Sequence, residues 1–270
     1  MMTCLDIKHK ACIKIGKEVK KFIMNNKEER LQKVIAQSGI TSRRKAETYI
    51  TDGRVKVNGK VEKTLGTKVL PTDEVAVDDI PLNKEKKVYY VLYKPRGYIS
   101  SVQDEKDRET VVGLMEEVSE RIFPVGRLDY NSSGILIMTN DGDFAHKLMH
   151  PRHELKKVYI AKVKGIPDKE QLFKLKKGIK DDGEILKAVD HRIISTDKRK
   201  HTAIIELTLH EGKNRHVRRM MEGLGFPVIK LKREKYGIVT LQSLQPGQYR
   251  ALTHQEIHQL STIAAKNVKQ

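Results

Sequence analysis

Leu31, Val34 and Ile35 repeat with the 3.6-residue period of a helix, and Gly39 follows where a helix often ends in the left-handed region. A second helical stretch has Thr41 or Ser42 as N-cap, Ala46, Tyr49 and Ile50 on one face, and Gly53 closing it. The period then changes to two. In Val55-Lys56-Val57-Asn58-Gly59-Lys60-Val61 valines alternate with polar residues around an Asn-Gly pair, which predicts a hairpin with a type I′ turn. Val69, Val75 and Val77 continue in short strands, and Lys84 to Lys87 form a charged linker.

From Val88 the pattern is longer and mixed. Strands are predicted over Val88–Tyr93, stopped by Lys94-Pro95-Arg96-Gly97, and over Gly134–Thr139, Val158–Val163 and Ile204–Leu209. Helices are predicted over Val111–Val118, Phe144–Met149, Gln171–Lys177, Asn214–Leu224 (ended by Gly225) and near His254–Ala264, with a turn at Asn140-Asp141-Gly142. Strands outnumber helices and do not alternate with them regularly. The fold class is therefore α+β, with a mixed, largely antiparallel sheet and flanking helices, and not a doubly wound sheet. Four regions result: a basic, disordered extension over 1–27, a small domain over 28–82, a linker over 83–87 and a larger domain over 88–270.

Charge narrows the function. Lys and Arg number 53 against 35 Asp and Glu, a formal net charge of +18, which favours a polyanionic partner such as nucleic acid. Cys4 and Cys12 both lie in the extension, so the rest of the chain has neither a disulfide framework nor a thiolate metal site. The pairs His150/His153 and His210/His216 have no matching cysteine or carboxylate pattern, and no metal site is assigned. Apolar runs such as Ile135-Leu136-Ile137-Met138 are too short to span a bilayer, and the Lys-rich first residues have no continuous apolar segment. A cytoplasmic protein without membrane contact is expected.

Two predicted helices open with cations. One begins Ser42-Arg43-Arg44-Lys45 and the other Gly212-Lys213-Asn214-Arg215. A helix N-terminus already carries partial positive charge, and each cation there typically costs about 0.3–1 kcal/mol. The arrangement suits a helix that normally holds phosphate. The plainer alternative is that these side chains splay into water, where salt screens them.

The first of these stretches resembles an S4 RNA-binding domain, through Arg30-Leu31-Gln32-Lys33-Val34, Gly39-Ile40-Thr41-Ser42-Arg43-Arg44-Lys45-Ala46-Glu47 and Gly53-Arg54-Val55-Lys56-Val57-Asn58-Gly59. The resemblance implies RNA contacts from Arg43, Arg44, Lys45, Arg54 and Lys56.

The segment Gly126-Arg127-Leu128-Asp129-Tyr130-Asn131-Ser132-Ser133-Gly134 sets Asp129 in a polar loop before a buried strand, with Arg127 close by. On its own, such an Asp is more often a structural ion pair than a catalyst. Continued through Ile135-Leu136-Ile137-Met138-Thr139-Asn140-Asp141-Gly142, it resembles the active-site motif of the ribosomal pseudouridine synthases of the small- and large-subunit type. His150-Pro151, Lys157-Val158-Tyr159, Glu211-Gly212-Lys213-Asn214-Arg215-His216-Val217-Arg218-Arg219-Met220 and Leu231-Lys232-Arg233 extend the likeness, which is greatest to the large-subunit pseudouridine synthase B group. The family commonly has Gln at the position of His216.

The resemblance implies a catalytic carboxylate at Asp129, acting as nucleophile at C1′ or as base at the ribose. It implies Arg218 paired with that carboxylate, Tyr159 against the uracil, and Arg127 helping to fix the loop. Lys213, Arg215 and Arg219 are expected at the RNA backbone. No cofactor is implied, and the expected partner is ribosomal RNA or a ribosome assembly intermediate, met by a monomer. The competing reading is an S4-type, ribosome-associated protein without catalysis. The same reaction on small-subunit or transfer RNA also stays open.

Overall fold

Leu31 and Ile35, one helical turn apart, are fully buried, as are Ala46 and Ile50. They centre the first of two units into which the chain divides between Lys86 and Lys87. The computed structural model describes residues 27–266 apart from residue 154, so residues 1–26 of the basic extension, with both cysteines, lie outside the described residues.

The first unit runs β1 (Glu29–Arg30), α1 (Leu31–Gln37), α2 (Arg43–Thr51), β2 (Val55–Val57), β3 (Lys60–Val61), β4 (Lys68–Val69), β5 (Val75–Val77) and β6 (Ile80–Pro81). Four strands form a sheet in the order β3-β2-β5-β6, and β1 pairs with β4. Ser42 caps α2, its hydroxyl accepting from the Lys45 amide at 3.2 Å. Asn58 and Gly59 have φ of +50° and +78°, the pair of positive angles a type I′ turn needs, and Val57 stands opposite Lys60. Val55, Val69, Val75 and Val77 close the core over the two helices.

The second unit runs β7 (Tyr89–Lys94), β8 (Phe123–Val125), β9 (Ser132–Thr139), α3 (Gly142–Met149), β10 (Lys157–Lys164), α4 (Lys169–Lys177), β11 (Ile179–Asp181), β12 (Glu184–Leu186), β13 (Asp190–Asp197), β14 (Thr202–Leu209), α5 (His216–Gly223), β15 (Val228–Tyr236), β16 (Val239–Thr240), β17 (Tyr249–Ala251) and α6 (His254–Lys266). Its main sheet has the order β13-β14-β10-β15-β9-β7-β17, with β16 on β15 and β8 on β9. Each pairing in it is antiparallel except β9 with β15, which is parallel.

That parallel seam depends on Gly134, which faces Arg233 in register. It has φ +117°, and a Cβ there would lie 2.2 Å from the Arg233 carbonyl oxygen. Only glycine lets the two backbones approach this closely. The seam brings the start of β9, and so the Asp129 loop, beside β15.

The sheet is covered on both faces around β9. Ile135 and Ile137 pack with Phe144, Leu148 and Leu260 from α3 and α6. Leu136 and Met138 face the other way, onto Val111, Met115 and Ile122. This two-sided burial accounts for the unbroken apolar run in the sequence. A third cluster joins β10 and β14 to α4 and α5 through Ala161, Ile205, Leu172, Val217 and Met220.

Two sequence expectations need correction. The helix predicted over Val111–Val118 reduces to one 3₁₀ turn at Gly113–Met115. Gly113 and the β-branched Val111, Val112 and Val118 favour helix weakly, and burial of Val111 and Met115 sets their positions instead. The helix predicted from Asn214 begins at His216, because Arg215 sits in the left-handed region with φ +48°. Lys213, Asn214 and Arg215 thus belong to the loop entering α5.

Candidate active site

Asp129 sits in the tight loop between β8 and β9. Its carbonyl oxygen accepts from the Ser132 amide at 2.9 Å and from Lys94 Nζ at 3.2 Å. Lys94 is fully buried and also donates to the carbonyls of Pro95 and Ser132, each at 2.9 Å. One ammonium therefore ties the end of β7 to both ends of the loop. With its backbone held, the Asp129 side chain stays one-third exposed (33%).

Its carboxylate faces Arg218 Nε at 3.8 Å. Arg218, on α5, is itself anchored: it donates to Val228 O at 3.2 Å, Asn131 O at 3.1 Å and Ser132 Oγ at 3.4 Å. Its Nε is buried and makes no hydrogen bond to the described residues. Burial pushes the Arg218 pKa down, and Asp129 opposes that shift. The result is an ion pair without a direct hydrogen bond. The carboxylate keeps its lone pairs for another partner, with a guanidinium beside it.

Tyr159, on β10, stands opposite Arg233 in the β10–β15 register. Arg233 is buried, donates from Nε to Ile135 O at 2.8 Å, and reaches the Tyr159 hydroxyl from Nη1 at 3.5 Å. It spans from β9 across to β10 and holds the phenol in place. Lys157, two residues before Tyr159, donates to His210 O at 2.7 Å and Leu155 O at 3.1 Å. Burial, reinforced by Arg233, lowers its pKa to about 8.

Asp129, Tyr159, Lys157 and Arg233 line one cleft of about 700 Å³. Arg127, Tyr130, Lys213, Arg215 and His216 share its wall. Arg127 and Arg215 are exposed. Arg218 stands behind Asp129, outside the set of wall residues. His216 is buried, and neither ring nitrogen has a hydrogen-bond partner among the described residues. Burial lowers its pKa, so the imidazole is neutral near pH 7. Sequence reasoning gave no site role to Lys94 or Arg233, although Lys94 opens the Lys94-Pro95-Arg96-Gly97 stop and Arg233 ends the Leu231-Lys232-Arg233 stretch.

The other basic candidates separate into two groups. Arg43, Arg44 and Lys45 are exposed on the first turn of α2, which contains no acidic residue. The rest are paired. Arg54 grips Asp78 with two hydrogen bonds, one of 2.9 Å from Nε, and lies 4.0 Å over the Tyr49 ring. Lys56 pairs with Asp79. Arg219 binds Asp181 and, at 2.8 Å, Glu184, clamping α5 to the β11–β12 hairpin. Lys213 stands 3.8 Å from both Glu184 and Glu211. Such pairing offsets the charge these side chains could offer a phosphate.

Lys94 makes a testable contribution. Burial lowers its pKa from 10.5 to about 8. Between those values the unfolded chain binds more protons at this site than the folded one, so this lysine's contribution raises stability as pH rises. Lys94→Met removes that slope and takes a donor from three carbonyls, of which Asp129 O keeps the Ser132 amide, an expected loss of about 1–3 kcal/mol. Urea unfolding from pH 7 to 10.5 should show wild type gaining on the variant by at most about 1.4 kcal/mol per pH unit. Parallel pH curves would show that Lys94 does not titrate in that range.

Comparison with known proteins defines the class first. A model of the S4 domain matches residues 29–75, and a model described as RNA pseudouridylate synthase matches residues 88–223. The chain belongs to the RNA pseudouridylate synthase family and has an S4 domain ahead of the synthase domain. Among individual proteins, it is 52% identical over 237 residues to the ribosomal large subunit pseudouridine synthase B of Bacillus subtilis (strain 168), covering 87% of this chain and 97% of that one. An uncharacterized RNA pseudouridine synthase of Aquifex aeolicus (strain VF5) is 42% identical, over 86% of this chain and 94% of its own. A pseudouridylate synthase crystal structure superposes with a TM-score of 0.58 at 28% identity, over 86% of this chain and 99% of that chain.

Proposed function

We propose that the protein converts a specific uridine of large-subunit (23S) ribosomal RNA to pseudouridine, with Asp129 as the catalytic carboxylate. The observation that carries this reading is the Asp129 carboxylate, held 3.8 Å from Arg218 in a cleft whose wall includes Tyr159. The B. subtilis relative supports the choice of large-subunit RNA.

The reaction breaks the N1–C1′ bond, turns the uracil and forms a C5–C1′ bond, after which C5 loses a proton and N1 gains one. Reactant and product are isomers, so no oxidant, nucleotide triphosphate or metal is needed. Asp129 acts on the ribose, as nucleophile at C1′ or as base. Arg218 supplies its counter-charge when RNA closes the cleft. Tyr159 lies flat against the uracil, with Arg233 fixing its hydroxyl. Because stacking hides the target ring, the base must swing out, at a cost of a few kcal/mol. Contacts to the RNA backbone offset that cost, from Arg43, Arg44 and Lys45 on the S4 domain and from Arg127 and Arg215 around the cleft, with a smaller share from Lys213, whose charge Glu184 and Glu211 partly offset. Arg54, Lys56 and Arg219 act mainly through their acidic partners. The protein meets ribosomal RNA or an assembly intermediate in the cytoplasm, as a monomer.

Mapping pseudouridines in ribosomal RNA from cells with and without this gene tests the reading. One position in large-subunit RNA should revert to uridine, and the purified protein should restore it on a transcript. A change confined to small-subunit or transfer RNA, or no change, would overturn the substrate assignment.

A further inference from the structure

Tyr130 directly follows the Asp129 carboxylate, yet 46% of it is exposed. Among the described residues the other exposed large aromatic is Phe173, which lies outside the cleft wall; Tyr130 is in that wall. An aromatic ring this open has no packing role in the core. Its backbone, by contrast, is fixed. Tyr130 O accepts from the Gly97 amide at 2.9 Å, and the preceding carbonyl is held by Lys94. The ring lies along the turn after β7, its hydroxyl 3.9 Å from where a Cβ on Gly97 would stand. Met149, 49% exposed, adds apolar surface to the same cleft. Arg127 and Arg215, both exposed, supply positive charge around it.

A ring displayed from a pinned loop among cations fits a stacked base between phosphates. Sequence-tolerant nucleic-acid grooves use this combination, because every base offers a π-face. The rigid loop also means that little ordering is required on binding. Swinging a uridine out leaves its neighbour with one stacking face uncovered. We infer that Tyr130 is the platform on which a base adjacent to the extruded uridine stacks, holding the RNA open while Asp129 acts. This rests on the pseudouridine synthase reading above.

The test is a binding cycle with the full chain. The probes are a ribosomal RNA fragment containing the mapped uridine and two copies abasic at the nucleotide 5′ or 3′ of it. On intact RNA, Tyr130→Ala should bind about five- to 150-fold more weakly than wild type by fluorescence anisotropy. Tyr130→Phe, which keeps the ring, should stay within about twofold on the same grounds. On one abasic RNA, wild type and Tyr130→Ala should bind alike. At saturating RNA, the single-turnover rate of Tyr130→Ala should fall far less than its affinity. Unchanged affinity on intact RNA, or an equal loss on all three RNAs, would overturn the platform. Failure of the enzymatic reading is distinct: it appears in the mapping experiment, when wild type alters no uridine.

Discussion

Asp129→Asn is expected to stop pseudouridine formation while leaving RNA binding nearly intact. The amide has the same shape but no charge, so it can neither attack C1′ nor take a proton from the ribose. Removing one such group commonly lowers turnover by about four orders of magnitude or more. Binding should change by no more than about twofold, since affinity for the polyanion comes mainly from the basic surface. Arg218 then loses its counter-charge, and because the pair is partly buried the variant should lose about 1 kcal/mol of stability. The measurement is tritium release from RNA carrying 5-tritiated uridine, run beside a filter-binding curve. Tritium release near the wild-type rate would remove Asp129 from the chemistry. Equal loss of binding and turnover would show that the substitution had damaged the cleft as a whole.

The parts of this site that were legible in the sequence are those set by local pattern. Asp129 lies beside an apolar run long enough to mark β9. The capped helix at Ser42 and the Asn58-Gly59 hairpin each depend on residues within a few positions. Lys94 and Arg233 were not legible, because their roles come from distant carbonyls. Lys94 reaches Ser132 across 38 residues and Arg233 reaches Ile135 across 98. A lysine beside a strand end is ordinarily read as exposed, and Lys94 is fully buried.

Distant partners also offset part of the basic charge. Arg54 and Lys56 looked available for phosphate, but Asp78 and Asp79 lie 24 and 23 residues further along. Arg219 finds Asp181 38 residues earlier. The onset of α5 was misplaced for a different reason. Asn214 and Arg215 carry no strong helix-breaking signal, and only the fold puts Arg215 in the left-handed region. Among the described candidates, what stays unpaired after these corrections is more focused than the net charge suggests: the first turn of α2, and Arg127 and Arg215 in the cleft wall.

Gly134→Ala should be the most damaging single-methyl change in the synthase domain. The added Cβ would stand 2.2 Å from Arg233 O and 2.5 Å from Arg233 N, both backbone atoms in the neighbouring strand. Neither can rotate away, and φ of +117° is itself unfavourable for alanine. Relief would require β9 and β15 to part along their parallel pairing. An expected loss of about 4 kcal/mol or more follows, in the range reserved for backbone strain combined with overpacking. Gly142→Ala is the matched control: a Cβ there meets nothing within 4 Å, and the residue opens α3. That change should be neutral or stabilising by a few tenths of a kcal/mol. Urea midpoints for the three proteins decide the matter, and equal midpoints for Gly134→Ala and wild type would refute the seam argument. The consequence for function follows from geometry. Parting β9 from β15 would withdraw Arg233, together with the Tyr159 it contacts on β10, from Ile135 and loosen the strand that carries the Asp129 loop. Any folded fraction of Gly134→Ala should therefore show a lower single-turnover rate, a defect that higher RNA concentration would not repair.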